Sequence, residues 1–572
     1  MKNLYLFLIM AFSCAMAFGQ YPTDTGKPRV SVSGAIQSQN WTNDNVYYLD
    51  GRVYVEPGNT LTIQAGTIIK GRNDADPTLT GVLIIQAGAY IIAEGTATQP
   101  IIFTSEVDSV ADITDAPTDL AAGGLWGGVV ILGKGCLNTI PDVQNIEGVA
   151  VTTADSVRTV YGNVDQTACD DADSSGVFRY VSIRHGGQEI EPDNELNGLS
   201  LGGVGRRTVM DHIEVIYNTD DGIEWFGGDV DLKYAAVAFV DDDSYDIDQG
   251  WRGKGQFWLA VQSSDWPSAD RAGEWDGADS PETGTPLGQL ELYNATFIGV
   301  KDNVGTTNQV AEIRANGAAK VYNSIIHTFT RGVRIQRNTA AGNDSFRRFQ
   351  AGDTDFANNI FFNINNDTPE GIFILTGDFT PAEQTEWANT FTARGNLVAD
   401  PGFPAIPDPT ATPGENFDPR PSLTGPAYTT DRAPFPAGDD FYTPVSFKGA
   451  FEAGTTNWLV GWSGLWQLGY LPSDLTFGEP VSIKNGFKAL ESLRAFPNPA
   501  QDIVHVTASN ASNSVAAIYL YDAMGREVLR KAAMPVDGAI DTELNIAHLP
   551  AGIYHIQVTN ANLAGTATIV KQ

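Results

Sequence analysis

Positive charge, sulfur and long apolar runs are what this 572-residue sequence has least of. Thirty-five Lys and Arg face 69 Asp and Glu, giving a formal net charge of −34 at pH 7. A field of that sign repels nucleic acid and anionic membrane surfaces and favours cations or neutral partners. The acidic excess belongs to the body of the chain, because neither end carries a comparable imbalance. His185 and His212 have no third nitrogen or thiolate ligand nearby in sequence, which argues against a zinc site. Beyond residue 18 no stretch approaches the ~20 apolar residues of a transmembrane helix, so no membrane-spanning helix is expected in the mature chain. An amphipathic helical pattern of useful length is missing too. Gly202-Gly-Val-Gly205 therefore reads as a turn, with no helix after it to receive a phosphate.

What is present is β-rich sequence repeating at about 22 residues, within the range of solenoid repeats. Ile63-Gln-Ala-Gly-Thr67 returns as Ile85-Gln-Ala-Gly-Ala89, and the run Asp211 to Trp225 aligns with Lys233 to Ile247 at the same offset. Gly332-Val-Arg-Ile-Gln336 follows Gly222-Ile-Glu-Trp-Phe226 at five times that interval. A period in this range marks coils that bury their apolar faces only by stacking on one another. The predicted columns are Ile213, Ala235 and Phe257, then Val215, Val237 and Leu259, then Tyr217, Phe239 and Val261. They alternate with polar or small positions as strands require. Short strands joined by Gly, Asn and Asp turns predict an all-β fold, a right-handed parallel β-helix, with a small C-terminal β-sandwich after it. A leucine-rich solenoid is excluded by the absence of its signature and of its helical half.

The expected layout is a signal peptide over 1–19, an N-terminal cap over 20–49 and the β-helix over 50–400. A Pro-rich crossover and C-terminal cap over 401–471 follow, then a linker over 472–492 and a C-terminal domain over 493–572. The leader rests on Lys2, the apolar run from Leu4 to Phe18 and the small residues of Ala17-Phe18-Gly19. In such an exported chain the pair Cys136 and Cys169 reads as one disulfide, with two free thiols as the alternative. Prolines between 401 and 444 cannot occupy central strands. That stretch is expected to cross back over the coils, before Phe447 to Trp462 packs on an end of the solenoid.

The last eighty residues carry Phe496-Pro-Asn-Pro-Ala500, Tyr519-Leu-Tyr-Asp-Ala-Met-Gly-Arg526, Leu549-Pro-Ala-Gly-Ile-Tyr554 and a final strand ending in Lys571. On those landmarks the segment resembles the type A C-terminal sorting domain of substrates of the bacterial type IX secretion system. The resemblance implies handling by that machinery, cleavage of the domain, and a protein secreted or held at the outer-membrane surface. The stretches Gly124 to Gly133, Asp221 to Trp225 and Phe447 to Trp462 also resemble a family of exported bacterial β-helix proteins, which implies the fold and no activity.

The densest polar constellation lies between Asp220 and Asp248. Coil stacking predicts a column of Asp221, Asp243 and Asp265, with Asp220 and Asp242 beside it and Glu224 over Asp246. Carboxylates about 4.8 Å apart would repel by roughly 3 kcal/mol at an effective dielectric near 20. Three readings compete. The aspartates are solvated turn formers countered by Arg252 and Lys254; or Asp221, Asp243, Asp265, Asp220 and Asp242 hold Ca²⁺; or the region is catalytic. A polysaccharide hydrolase would use Glu224 with Asp246, and a lyase would use Arg184, His185, Arg252 or Lys254. No specific catalytic motif distinguishes one site. Trp225, Trp251 and Trp258 beside these turns are candidate sugar-stacking residues, with core packing as their commoner role. The expected function is binding of an extended ligand such as a polysaccharide. A hydrolase or lyase and a structural surface stalk are the rivals.

Overall fold

The computed structural model describes residues 26–471 and 488–572, apart from 77–78, 114, 116–121, 150–155, 190–195, 264–269, 279–280, 302–307, 405, 407–416, 490, 510–515, 523–526, 534, 537, 548 and 561–562. The expected signal peptide and most of the expected linker lie outside the described residues. Among those described, no helix is long and apolar enough to cross a membrane.

Twenty-seven strands, from Arg29–Ile36 to Leu397–Val398, are joined by parallel pairing into stacked coils. Each coil contributes to three sheets. One runs through Gln39–Trp41, Thr60–Ile63 and the first residues of Lys254–Val261 to Asp355–Ala357. The second contains Ile68–Gly71, Ile101–Ser105 and Ile360–Ile364. The third contains Val82–Ile85, Ile223–Gly228, Tyr245–Asp248 and Phe373–Gly377. Alternation sends Ile213, Val215, Trp225, Ile247 and Trp258 into one continuous core.

The coils are not uniform. Ile63 pairs with Ala93 and Ile85 with Ile131, so the two Ile-Gln-Ala-Gly runs belong to different sheets and the offset between them is not a coil repeat. Gly332 does occupy the Gly222 column, but four coils on, because the steps that reach Gly273 and then Ala311 are longer than those before them. Ile213 and Ala235 stack on Trp258, and Val215 and Val237 on Ala260. The predicted Phe257, Leu259 and Val261 columns are therefore out of register by a single position, because the third coil is longer than the second. Such a slip exchanges the two faces of a strand.

The expected N-terminal cap instead supplies strands of the first coil, Arg29–Ile36 and Gln39–Trp41. A helix that the periodicity did not reveal, Pro381–Ala393, follows the last long strand and buries Trp387 and Phe391 in the core. Trp458 and Trp462 lie along the side of the second sheet, not on an end, packed with Ile216, Ala238, Phe257 and Leu259. Buried Glu214 fixes that segment by accepting from the backbone N–H groups of Gly464 and Leu465.

The second compact unit, Ser473–Gln572, contains a five-stranded and a three-stranded sheet. Its strands begin at Lys488–Ala489 and Glu491–Phe496, upstream of the expected boundary at 493.

Candidate functional site

The third sheet carries an acidic ladder on its outer side. Ser200, Glu224, Asp246, Glu274, Glu312 and Arg334 are aligned coil on coil, while the alternating Trp225, Ile247, Trp275 and Ile313 point inward. Gly222 immediately precedes the Glu224 strand, Ile223–Gly228, at a point where a Cβ would lie 2.3 Å from Val237, so only glycine fits this close approach. In the preceding turn Asp221 accepts from the Asp243 amide at 2.9 Å. Ligand atoms of Asp220, Asp221 and Asp242, of Asp221, Glu224 and Asp246, and of Asp242, Asp243 and Asp270 lie within 4.8 Å of one another in each group.

The predicted third member of the aspartate column, Asp265, lies outside the described residues. The coil position that continues from Asp221 and Asp243 is held by Arg271. Its guanidinium reaches Asp243 at 2.9 Å, Asp270 and Glu274 at 3.0 Å and Glu312 at 3.5 Å. Arg314 bridges Glu274 and Asp276, and Arg334 approaches Glu312. Asp221, Glu224 and Asp246, at the other end, have no ion pair among the described residues. Burial, then the neighbouring carboxylates, push all three well above the usual carboxylate range. Glu224 accepts from Asn197, and Asp246 from the Ile247 amide at 2.6 Å.

The other predicted catalytic residues do not join this pair. Arg252 is engaged by Asp171 and by the carbonyls of Gly228 and Gly250. Lys254 meets Asp439 at 2.6 Å. Arg184 is buried against Ser182 and Gln467, and buried His185 contacts the Ala122 carbonyl. Trp225, Trp251 and Trp258 are fully buried. Trp225 stacks on Trp258 at 5.4 Å and lies 5.0 Å from Trp251, so these rings fill the core and present no face to a sugar. Cys136 and Cys169 are disulfide-bonded, with Cα atoms 4.9 Å apart.

A groove of about 650 Å³ lies on the first sheet, where sequence reasoning did not place a site. It follows the corner between the first and second sheets. That corner is made by Tyr180, His212, Tyr234 and Phe257, at φ 48°, 55°, 59° and 60°, and continues through Asn294, Asn323 and Asn358. Asparagine tolerates this left-handed conformation, and the four aromatic residues that adopt it stack on one another from coil to coil. His212 is held between Tyr180 at 4.0 Å and Tyr234 at 4.4 Å. Arg179, Arg206 and Lys233 line the groove together with Asp211, Asp231 and Asp440, three charges of each sign. Asp211 lies 2.7 Å from both Arg179 and the His212 Nδ1. Burial pushes Asp231 up to about 6 and lowers Lys233. The signal that could have found this corner is a ring recurring once per coil, legible only once the unequal coil lengths are known.

Residues 34–396 match the model of the pectate-lyase like beta helix domain, and the chain belongs to that family. Residues 494–572 match the secretion system C-terminal sorting domain. The chain is thus a β-helix substrate of the type IX secretion system, secreted or at the outer-membrane surface. No curated protein matches it. Among solved structures, the enzymatically active domain of bacteriophage CBA120 tailspike protein 2 is similar at 10% identity and a TM-score of 0.22, over 96% of this chain and 72% of that one. A likeness of that order carries no inference about chemistry.

Proposed function

We propose that this secreted β-helix protein binds a neutral polysaccharide along the groove of its first sheet. The observation that carries the reading is the groove itself: half-buried aromatic rings flanked by three cationic and three anionic side chains. Paired charges offer both donors and acceptors to hydroxyl groups, the edges of the stacked rings offer apolar surface, and the net charge of −34 disfavours a polyanion. Binding without turnover is favoured over hydrolysis because Glu224 and Asp246, the carboxylate pair that hydrolysis would use, lie on the third sheet and do not line this groove. The test is an array of neutral and anionic polysaccharides probed with the full chain, followed by reducing-end assays on the hits. Neutral hits without new reducing ends are expected. An array without hits contradicts the reading, and accumulating ends would establish the hydrolase.

A second reading concerns the acidic ladder. The carboxylates of Asp221, Glu224 and Asp246, with Asp220 and Asp242 alongside, suit a Ca²⁺ ion, which takes 6–8 oxygen ligands. What favours it is that Asp221, Glu224 and Asp246 have no arginine partner among the described residues, whereas Glu274 and Glu312 do.

A further inference from the structure

Resting on the glycan reading of the groove, we propose that the same sheet carries a second, separate site for a neutral oligosaccharide, walled off from the first by residues 433–443. One column runs along the sheet: Arg179, Asp211, Lys233, Gln256, Tyr293, Tyr322 and Ala357. Six coil steps at about 4.8 Å make it about 29 Å long. Its first three members line the groove already described. Its last three line a cavity of about 480 Å³.

Between them the returning chain lies across the column and is hydrogen-bonded at both ends by side-chain amides acting as backbone mimics. Gln256 accepts from the Thr443 amide and donates to its carbonyl, both at 2.8 Å. Asn323 does the same for Ala433 at 2.8 and 2.9 Å. Tyr293 donates to the Pro434 carbonyl at 3.0 Å and stacks on Phe435 at 4.9 Å, and Lys254 holds Asp439. A segment fixed by this many contacts is a wall, not a lid. It contributes Asp440, Phe441 and Thr443 to the first cavity and Ala433 and Pro434 to the second.

Like the first, the second cavity combines aromatic rings with polar groups, here with a single charged side chain, Arg394. It has a half-buried aromatic ring, Tyr322, the amide of Asn358, the exposed backbone at Gly395, and a guanidinium whose charge is already met, since Arg394 pairs with Asp355. Such a lining hydrogen-bonds hydroxyl groups and attracts no net charge. Each copy of the chain then holds two ligand segments, as a protein that ties polysaccharide strands together would.

The test is calorimetric titration of the full chain with cellotetraose, xylotetraose, mannotetraose and laminaritetraose. Two binding equivalents per chain are expected for at least one of them. Lys233→Ala should remove one equivalent and Tyr322→Ala the other. Asn358→Gly, which keeps the left-handed backbone permissible, serves as a second lesion of the far site should Tyr322→Ala fold poorly. A single equivalent in the wild type, abolished by Lys233→Ala, overturns the second site and leaves the first standing. Two equivalents that survive both far-site variants also overturn it. No binding of any of the four to the wild type overturns both sites together.

Discussion

On the outer side of the third sheet, carboxylates stack on carboxylates from Glu224 to Glu312. On the first sheet the stacked positions alternate in sign, as in Arg179, Asp211 and Lys233. A parallel β-helix repeats whatever it places at a coil position about every 4.8 Å, and like charges at that spacing repel by about 3 kcal/mol at an effective dielectric near 20. The first sheet avoids the cost by pairing opposites and so leaves a groove of polar but balanced character. The acidic ladder meets the cost twice over. Its C-terminal half is threaded by Arg271, Arg314 and Arg334, whereas its N-terminal half, Asp221, Glu224 and Asp246, relies on burial-raised proton affinity. Crowded charge in a sequence therefore marks where a stacked fold must neutralise its own repulsion.

The largest effect that would break this comparison is at Arg271. Removing it by Arg271→Ala leaves Asp243 and Asp270 without an ion pair among the described residues, and Glu274 and Glu312 with only Arg314 and Arg334, a loss of about 3–5 kcal/mol for an uncompensated buried charge. Glu224→Gln at the other end removes repulsion and should leave the denaturation midpoint unchanged or higher. Equal destabilisation by both would show that the two halves of the ladder do not differ.

Next in size is a divalent cation. If Ca²⁺ binds only the folded ladder, saturation at about 100 times its dissociation constant adds about 2.7 kcal/mol. The melting temperature should then be higher in millimolar Ca²⁺ than in EDTA, and Asp246→Asn should lose that increment. Identical melting in the two conditions returns the ladder to protonation alone. Asp243, which pairs with Arg271, is the wrong residue for this test.

The effect confined to the groove comes from Asp231, a single partly exposed group there. Burial raises its pKa from 3.8 to about 6 in the folded chain. A carboxyl with a raised folded value binds more protons folded than unfolded, so its contribution favours folding at low pH and is lost as pH rises from 3.8 through about 6. Asp231→Asn should flatten the stability profile in that window, measured by denaturant midpoints across pH. An unchanged slope would contradict the assigned environment.

Much of the solenoid was legible in the sequence because alternation and Gly/Asn/Asp turns report strands without reference to the rest of the chain. Glu224 over Asp246 was legible for the same reason, since consecutive coils of equal length preserve an offset. Asp265 was misplaced because the coil ending at Arg271 is longer, and a periodic offset carries no information about where an insertion falls. The capping sequence Thr380-Pro-Ala-Glu383 announces a helix, and the structure has both reciprocal hydrogen bonds of that box. It was passed over because the helix beyond it is short of apolar periodicity. The tryptophans were ambiguous for a physical reason: a large aromatic suits both a core layer and a sugar, and only register decides between them. The groove was invisible because its walls come from successive coils of unequal length and from a segment far downstream, where Thr443 meets Lys233.

The most direct measurement compares the two faces on one ligand. Calorimetric affinity of the first-sheet groove for the best-bound neutral polysaccharide should fall at least tenfold in Lys233→Ala and stay within a factor of two of wild type in Glu224→Gln. Loss of binding in Glu224→Gln, with Lys233→Ala unaffected, would put the ligand on the acidic ladder and contradict the account.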